Sequence, residues 1–547
     1  MANTTPLADF SLLFPDAASR SAHAAGEAAP KIDEFTLEEL GLCEILPLKN
    51  AALAEFVTKD PDVIRYREAV FADLLANEGV TKTFGKLIPV LLDIMELRRL
   101  EADSGNTADY LAGMTEIELY ITSIDVLYEG LCGEDVHFES PALTALSTYI
   151  KELVESDYYA ELNEKLEELT SRVREIKSVT VGVNLDAQLR PRDAGVLAVN
   201  SEPFHSGDTL QKILRLNFKE DAYTCIAELV PFSRKQTENQ KTALSLAFTS
   251  AISDVYKQSL RSWKKIVQQY VLENTDFLLA LLPEFELLVK GTNLVRALRI
   301  KGNTLTAPTI APAADRAFSA KGLYNPAVAL KTDDVMVKND ICFDERAGIY
   351  VLTGPNRGGK SVVTCAVGLA VAMAQLGLPV PADEAVISPA DGIFTHFPTG
   401  AEDTIDKGRL GEECARLGEI FDEITKESLV LLDETLSSTG SFEGSYIAAE
   451  VLTGLSHAGC RAIFSTHLHE LAGEIDAINA RTAPLGGAPI DTLVAGIEGE
   501  GKRSFLIHRT KPDGKSYARD IAAKYGLTYE SIMKKIRRGD ATAKEEL

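Results

Sequence analysis

Gly354-Pro355-Asn356-Arg357-Gly358-Gly359-Lys360-Ser361 follows the apolar run Ile349-Tyr350-Val351-Leu352 and precedes an apolar stretch from Val362 to Met373. That pattern reads as strand, glycine-rich turn and helix. The spacing G-x-x-x-x-G-K-S is that of a phosphate-binding P-loop. Glycines let backbone N–H groups turn inward toward phosphate oxygens, and the helix N-terminus adds partial positive charge. Gly354, Pro355, Asn356, Arg357, Gly358, Gly359, Lys360 and Ser361 are therefore the candidate nucleotide-binding residues. Lys360 is expected to reach the β- and γ-phosphates, and the Ser361 hydroxyl to ligate Mg²⁺.

Two further strand ends supply chemistry. Leu429-Val430-Leu431-Leu432 runs into Asp433-Glu434. A buried strand of this kind delivers both acids to the phosphate end of a sheet. Asp433 is expected to hold Mg²⁺, as in the Walker B arrangement, and Glu434 to polarise the attacking water. Ala462-Ile463-Phe464-Ser465-Thr466-His467 is another strand, ending in a histidine suited to contact the γ-phosphate or that water. His469 is the weaker candidate.

Composition sets the frame. A chain of 547 residues can bury several cores and divides into two to four domains on length alone. With 45% hydrophobic and 25% charged residues it has globular composition. A net charge of −25 argues against uniform coating of nucleic acid or of an anionic membrane. The seven cysteines form no C-x-x-C pair, and the eight histidines form no spaced cluster. A reduced, cytoplasmic chain without structural zinc is the expectation. The first residues lack the pattern of a signal peptide, and no apolar run of about 18 residues is present, so no membrane partner is expected.

Around this centre the chain reads as follows. Residues 1–32, rich in Ala, Ser and Pro, form an arm or short adaptor. Residues 33–305 form a helical domain. Asp60-Pro61 is a helix start, and a long helix is expected from about Pro141. Its Leu162, Leu166, Leu169, Val173 and Ile176 step as a heptad seam, which fits a lever or a bundle helix equally. A β-containing insertion spans about 178–236. Val179, Val181, Val183 and Leu185 alternate as a strand, Leu189 to Gly195 reads as a turn, and Val196–Val199 and Ile213–Phe218 as further strands. Helix returns near Thr237 and breaks at Pro283. An α/β domain covers 306–515, and a helical segment covers 516–547.

One region opposes the overall acidity. Between Pro203 and Ile266 ten basic residues stand against six acids. Lys212, Arg215, Arg234 and Lys235 are the candidate DNA-binding residues. A solvated helix face is the favoured reading of the same charges.

At the strand-end motifs the chain resembles the MutS family of DNA mismatch-repair ATPases. Thr353 to Ser361 nearly reproduces that family's P-loop, with Arg357 where Met is usual. Further matches are Val337-Lys338-Asn339-Asp340, Ile393-Phe394-Thr395, Asp433-Glu434, Ser465-Thr466-His467 and Lys515-Ser516-Tyr517-Ala518. The resemblance implies an ABC-superfamily ATPase using ATP and Mg²⁺. It would work as a homodimer whose two sites are completed across the interface, with Glu434 and His467 catalytic. ATP binding would move long levers that grip DNA, with other repair proteins as further partners.

Three departures are visible. Only about 32 residues stand before the helical part, too few for the family's mismatch-reading domain, so direct mismatch recognition is not expected of this sequence. The loop Lys407-Gly408-Arg409-Leu410-Gly411-Glu412-Glu413 lacks the family's Ser-Thr pair, leaving Gly408, Arg409 and Gly411 to meet a partner's γ-phosphate. The loop after Glu434 keeps Thr439 as a partner-facing residue but has Ser437 where Arg is usual. An ATPase clamp on branched DNA, RNA or ribonucleoprotein, and a nucleotide-switched protein-interaction module, remain open alternatives.

Overall fold

The computed structural model describes residues 9–104, 109–174, 178–188, 191–200, 230–231, 272–355, 357–397, 409–468, 470–498, 502–511 and 525–534. It is a mixed α/β protein of two compact units. One comprises Met1–Leu12 and Ala76–Val289, the other Leu13–Leu75 and Lys290–Leu547. Most of the N-terminal arm and the first helices belong to the unit that carries the α/β region. Among the described residues no helix is long and apolar enough to cross a membrane.

The chain opens with α1 (Ala17–Ala24), α2 (Glu34–Leu40), α3 (Leu42–Ile45), α4 (Asn50–Ala54) and α5 (Pro61–Ala76). Asp16 and Asp33 cap α1 and α2, each carboxylate accepting a backbone N–H three residues on. The described part of the arm, from residue 9 on, is therefore structured. Lys31 N–H donates to Asp391 O at 2.8 Å, and Ile393 N–H donates to Lys31 O at 3.0 Å.

The first unit holds α6 (Glu78–Ser104), α7 (Asp109–Leu131), α8 (Pro141–Val154) and α9 (Asp157–Arg174). Helices α6 and α7 approach closely at Gly130, where a Cβ would lie 1.9 Å from Thr83 Oγ1. The Arg98 guanidinium bridges Glu116 and Asp276 within this unit. The long helix expected from Pro141 is in fact two. Ser140 caps α8, whose Leu143, Leu146, Ile150 and Leu153 are buried at helical spacing. The chain then breaks at Glu155-Ser156, where Ser156 Oγ accepts from Tyr159 N at 3.2 Å and starts α9.

Strands β1 (Ser178–Leu185) and β2 (Pro191–Asn200) pair antiparallel, and β3 (Val230–Pro231) adds to β2. Pro191 to Gly195, expected in a turn, lie in β2. The turn sits earlier, where Gln188 N–H donates to Asp186 Oδ1 at 2.9 Å. The expected strand Ile213–Phe218 and the helix from Thr237 lie outside the described residues. Helix returns as α10 (Leu272–Ala280) and α11 (Leu282–Ile300), with the break near Pro283.

The second unit continues with β4 (Thr309–Ile310), β5 (Phe318–Leu323), α12 (Pro326–Lys331), β6 (Asn339–Phe343), β7 (Ile349–Thr353), α13 (Lys360–Gln375), β8 (Glu384–Ile387) and β9 (Ile393–His396). It ends in α14 (Arg409–Glu423), β10 (Leu429–Asp433), α15 (Ser441–Ala458), β11 (Arg461–Ser465), α16 (Leu471–Thr482), β12 (Ile490–Glu498) and β13 (Lys502–Arg509). A mixed sheet has the order β4-β8-β5-β6. A larger sheet has the order β13-β12-β7-β11-β10-β9, parallel except where β13 returns antiparallel on β12.

Every residue of β7, β10 and β11 is buried, as expected of strands covered on both faces. Ile349, Val351, Val430, Leu432, Ala462 and Phe464 pack with Leu452 and Leu455 of α15 and Leu417 of α14. Helix α13 is almost wholly buried, which explains its apolar composition all round. Gly368 lets it approach the sheet, since a Cβ there would sit 2.7 Å from Leu431 Cδ1. The parallel arrangement brings the C-terminal ends of β7, β10 and β11 to one edge, the place where open α/β sheets bind ligands.

Candidate nucleotide site

The site is built at that edge, starting with the glycine-rich turn after β7. Gly354 has φ +137°, and a Cβ there would lie 2.7 Å from Ala495 Cβ and 3.0 Å from Ala495 N. The turn thus lies directly against β12. Gly358 N–H donates to Pro355 O at 3.0 Å. Gly359, at φ +91°, leads into α13, so Lys360 and Ser361 open that helix. Arg357 has φ +59°. Asn356 lies outside the described residues.

Lys360 is 4% exposed. Its Nζ donates to Gly354 O at 3.1 Å and to Pro355 O at 3.3 Å, folding the side chain over the turn. Burial holds its pKa below the ordinary lysine value, and the Glu434 and Asp433 carboxylates oppose that shift. A poorly solvated cation amid carbonyl oxygens is suited to exchange them for an anion.

Asp433, at the end of β10, is also 4% exposed. Burial pushes its pKa up, against the hydroxyls of Ser361 and Ser465. Its Oδ1 is buried without a hydrogen-bond partner. Glu434 follows at φ +48°, and its N–H donates to Ser465 O at 2.8 Å. His467 Nε2 lies 2.8 Å from Glu434 Oε1, with both side chains about one-third exposed. The loop bearing His467 is fixed by Thr466 N–H donating to Leu352 O at 2.9 Å and Leu468 N–H donating to Thr466 Oγ1 at 3.0 Å.

A pocket of about 480 Å³ opens over the turn. Arg357, Lys360, Ser361 and Glu434 form its polar end. Tyr324, Val328, Met336 and Phe505 form a more apolar wall. Asn339 ties that wall together: its Nδ2 donates to Phe505 O at 3.2 Å, and its Oδ1 accepts from Ile507 N at 2.6 Å. Asn325 Nδ2 donates to Val362 O at 3.2 Å, fixing the start of α13 to α12.

Not every expected residue joins this cluster. Arg409 and Gly411 open α14 and do not line the pocket. Thr439 donates to Glu443 Oε2 at 2.7 Å on its own loop. Gly408, His469 and the basic residues Lys212, Arg215, Arg234 and Lys235 lie outside the described residues. Sequence reading missed Phe505 and Tyr324. Neither belongs to a spaced motif, and only the pairing of β12 with β13 and of β5 with β6 brings them to the pocket.

Comparison with known proteins follows the same division. Residues 350–484 match the family model for MutS domain V, and residues 59–300 match that for the MutS2 N-terminal domain. The DNA mismatch repair protein MutS of Chloroflexus aurantiacus is 35% identical over 227 residues, which cover 40% of this chain and 22% of that protein. MutS of Roseiflexus sp. is 36% identical over 219 residues, covering 39% and 19%. MutS of Thermosipho melanesiensis is 40% identical over 157 residues, covering 28% and 19%. The matched region thus spans about a fifth of these relatives. The chain thus carries a segment similar to MutS domain V after a segment similar to the MutS2 N-terminal domain.

Proposed function

We propose that the chain is a Mg²⁺-dependent ATPase that binds DNA as a dimer. The observation that supports the ATPase reading is the convergence of Lys360, Asp433, Glu434 and His467 at the C-terminal edge of one sheet, with Lys360 and Glu434 lining the same pocket and His467 in contact with Glu434. Three separate sequence segments supply them, and the pairing of β7, β11 and β10 unites them.

The residues fit a divalent cation. Asp433 Oδ1 is a buried oxygen with no protein partner, and the Ser361 hydroxyl faces the same carboxylate. Hard oxygen donors of this kind suit Mg²⁺. Ser361 and Asp433 would hold the ion, which when bound neutralises charge on the phosphate oxygens.

The other residues act on substrate. Lys360 exchanges the carbonyls of Gly354 and Pro355 for phosphate oxygens, and the turn's backbone N–H groups complete the cradle. Glu434 uses one carboxylate oxygen to accept a proton from the attacking water. The contact of its Oε1 with His467 Nε2 orients the carboxylate and leaves the other oxygen for that role. His467 would also sense the γ-phosphate end of the nucleotide through its contact with Glu434.

The dimer and the DNA reading rest on the similarity to MutS proteins. The relatives are named as DNA mismatch repair proteins, and levers are what the helical pattern of the sequence leads us to expect. ATP binding would shift the population of lever positions. Two measurements test the proposal. Equilibrium binding of ATP should be tight for wild type and lost in Lys360→Ala. Binding to mismatched, homoduplex and branched DNA and to RNA, at fixed salt with and without ATP, should show nucleotide-dependent DNA affinity. Equal affinity in both nucleotide states for every substrate would overturn the DNA-handling part.

A further inference from the structure

The segment Glu434–Leu436 has a strained backbone. Glu434 and Leu436 take φ values of +48° and +65°. Such angles are unfavourable for residues with a Cβ and persist where the surroundings hold them. Here each residue is held by a different element. Glu434 N–H is bound to Ser465 O of β11. Thr435, 3% exposed, donates its hydroxyl to His396 O at 3.3 Å, while its Oγ1 lies 3.2 Å from His396 Nδ1. With the single hydroxyl proton on the carbonyl, Nδ1–H is the donor to Oγ1. Leu436, 1% exposed, donates its N–H to Glu413 Oε2 at 2.6 Å. Its carbonyl oxygen lies close over Gly444, where a Cβ would come to 3.1 Å.

Glu413 is the one of these supports that reaches the segment through a side chain of a helix. It does not line the pocket. Its carboxylate ends on a backbone amide two residues from Glu434. A half-buried carboxylate spent on one amide is a strong, directional hydrogen bond. Without it, that amide would be buried and unpaired.

We propose that Glu413 is a positioning residue for the hydrolytic step. By tethering Leu436 from α14, and together with His396 on Thr435, it holds the turn at the backbone angle that presents Glu434 to the pocket. This rests on the assignment of Glu434 as the group that activates water. Helix α14 begins at Arg409, in the stretch expected to meet a partner's nucleotide. The tether therefore makes the angle of Glu434 depend on the position of that helix.

The test compares wild type with Glu413→Gln, which keeps an acceptor oxygen, and with Glu413→Met and Glu413→Ala, which do not. Methionine preserves length and helix propensity, so the comparison survives poor folding of the alanine variant. Three readouts are taken: kcat and KM for ATP, equilibrium ATP affinity, and hydrogen exchange of the Leu436 amide without nucleotide. The methionine variant should lose kcat by roughly ten- to a hundredfold with ATP affinity unchanged. Its Leu436 amide should exchange faster, and glutamine should restore both. Unchanged exchange in the methionine variant, parallel loss of ATP affinity and kcat, or a glutamine variant as slow as methionine would overturn the proposal. Absence of hydrolysis by wild type would instead sink the ATPase reading, and the exchange result would still decide whether the tether exists.

Discussion

Replacing Gly354 by alanine perturbs the turn at its tightest point. Two costs add. The φ of +137° is one that residues with a Cβ rarely adopt, and strain of this type costs about 1–3 kcal/mol. The new Cβ also meets Ala495 Cβ at 2.7 Å and Ala495 N at 3.0 Å. Those neighbours are backbone or attached directly to it, so they cannot swing away, and overpacking of this kind costs about 1–3 kcal/mol. The sum, about 2–6 kcal/mol, is a large share of a stability of about 5–15 kcal/mol. The turn is expected to relieve it by shifting, which would misplace the groups that hold Lys360. Gly302→Ala is the control, because Gly302 has φ +81° but nothing within 4 Å of a Cβ. It carries strain without the clash. Urea unfolding and titration with a fluorescent ATP analogue measure both effects. Gly354→Ala should be the less stable variant and should lose nucleotide affinity, whereas Gly302→Ala should bind normally. Equal stability of the two variants with full nucleotide binding by Gly354→Ala would refute the close packing of the turn on β12.

Asp433→Asn removes a carboxylate that burial makes hard to ionise, so the nucleotide-free variant should melt no lower than wild type while losing Mg²⁺-dependent turnover; a calorimetric scan and a phosphate-release assay check the pair. The raised pKa of Asp433 also fixes the sign of a pH effect: cation binding displaces a proton, so Mg²⁺ affinity should weaken as pH falls through that pKa, read by titration across an acidic series. Gly368→Ala would place a Cβ 2.4 Å from Leu40 Cδ2 and 2.7 Å from Leu431 Cδ1, and should destabilise the second unit by about 1–3 kcal/mol, measured by urea unfolding with nucleotide absent.

What the sequence made legible was local. The apolar run before Gly354, the glycines, and the apolar helix after Ser361 each carry their own signal, so strand, turn and helix could be read in order. Asp433 and Glu434 could be singled out because the apolar strand ending in two acids follows the glycine-rich turn within one α/β series; the two acids alone would be a weak signal. The break between α8 and α9 was hidden because the stretch around Ser156 contains neither glycine nor proline. The apolar spacing of the helices also ran through it. Pro191 misled for a physical reason: proline signals a turn, yet it is tolerated at the first residue of a strand, and that is its place in β2. The N-terminal segment read as an arm because Ala and Ser give no periodicity. What orders it is pairing of Lys31 with the backbone around Gly392, which no local pattern announces. The bracing of Glu434–Leu436 by His396 and Glu413 was invisible for the same reason, since both partners are brought in by the fold.

The most direct test of the central claim is single-turnover hydrolysis of ATP with Mg²⁺ by wild type and Glu434→Gln, each first shown to be folded and to bind ATP. The two proteins should bind ATP with comparable affinity, and Glu434→Gln should hydrolyse it more slowly by roughly a hundredfold or more. Hydrolysis by Glu434→Gln at the wild-type rate would contradict the claim.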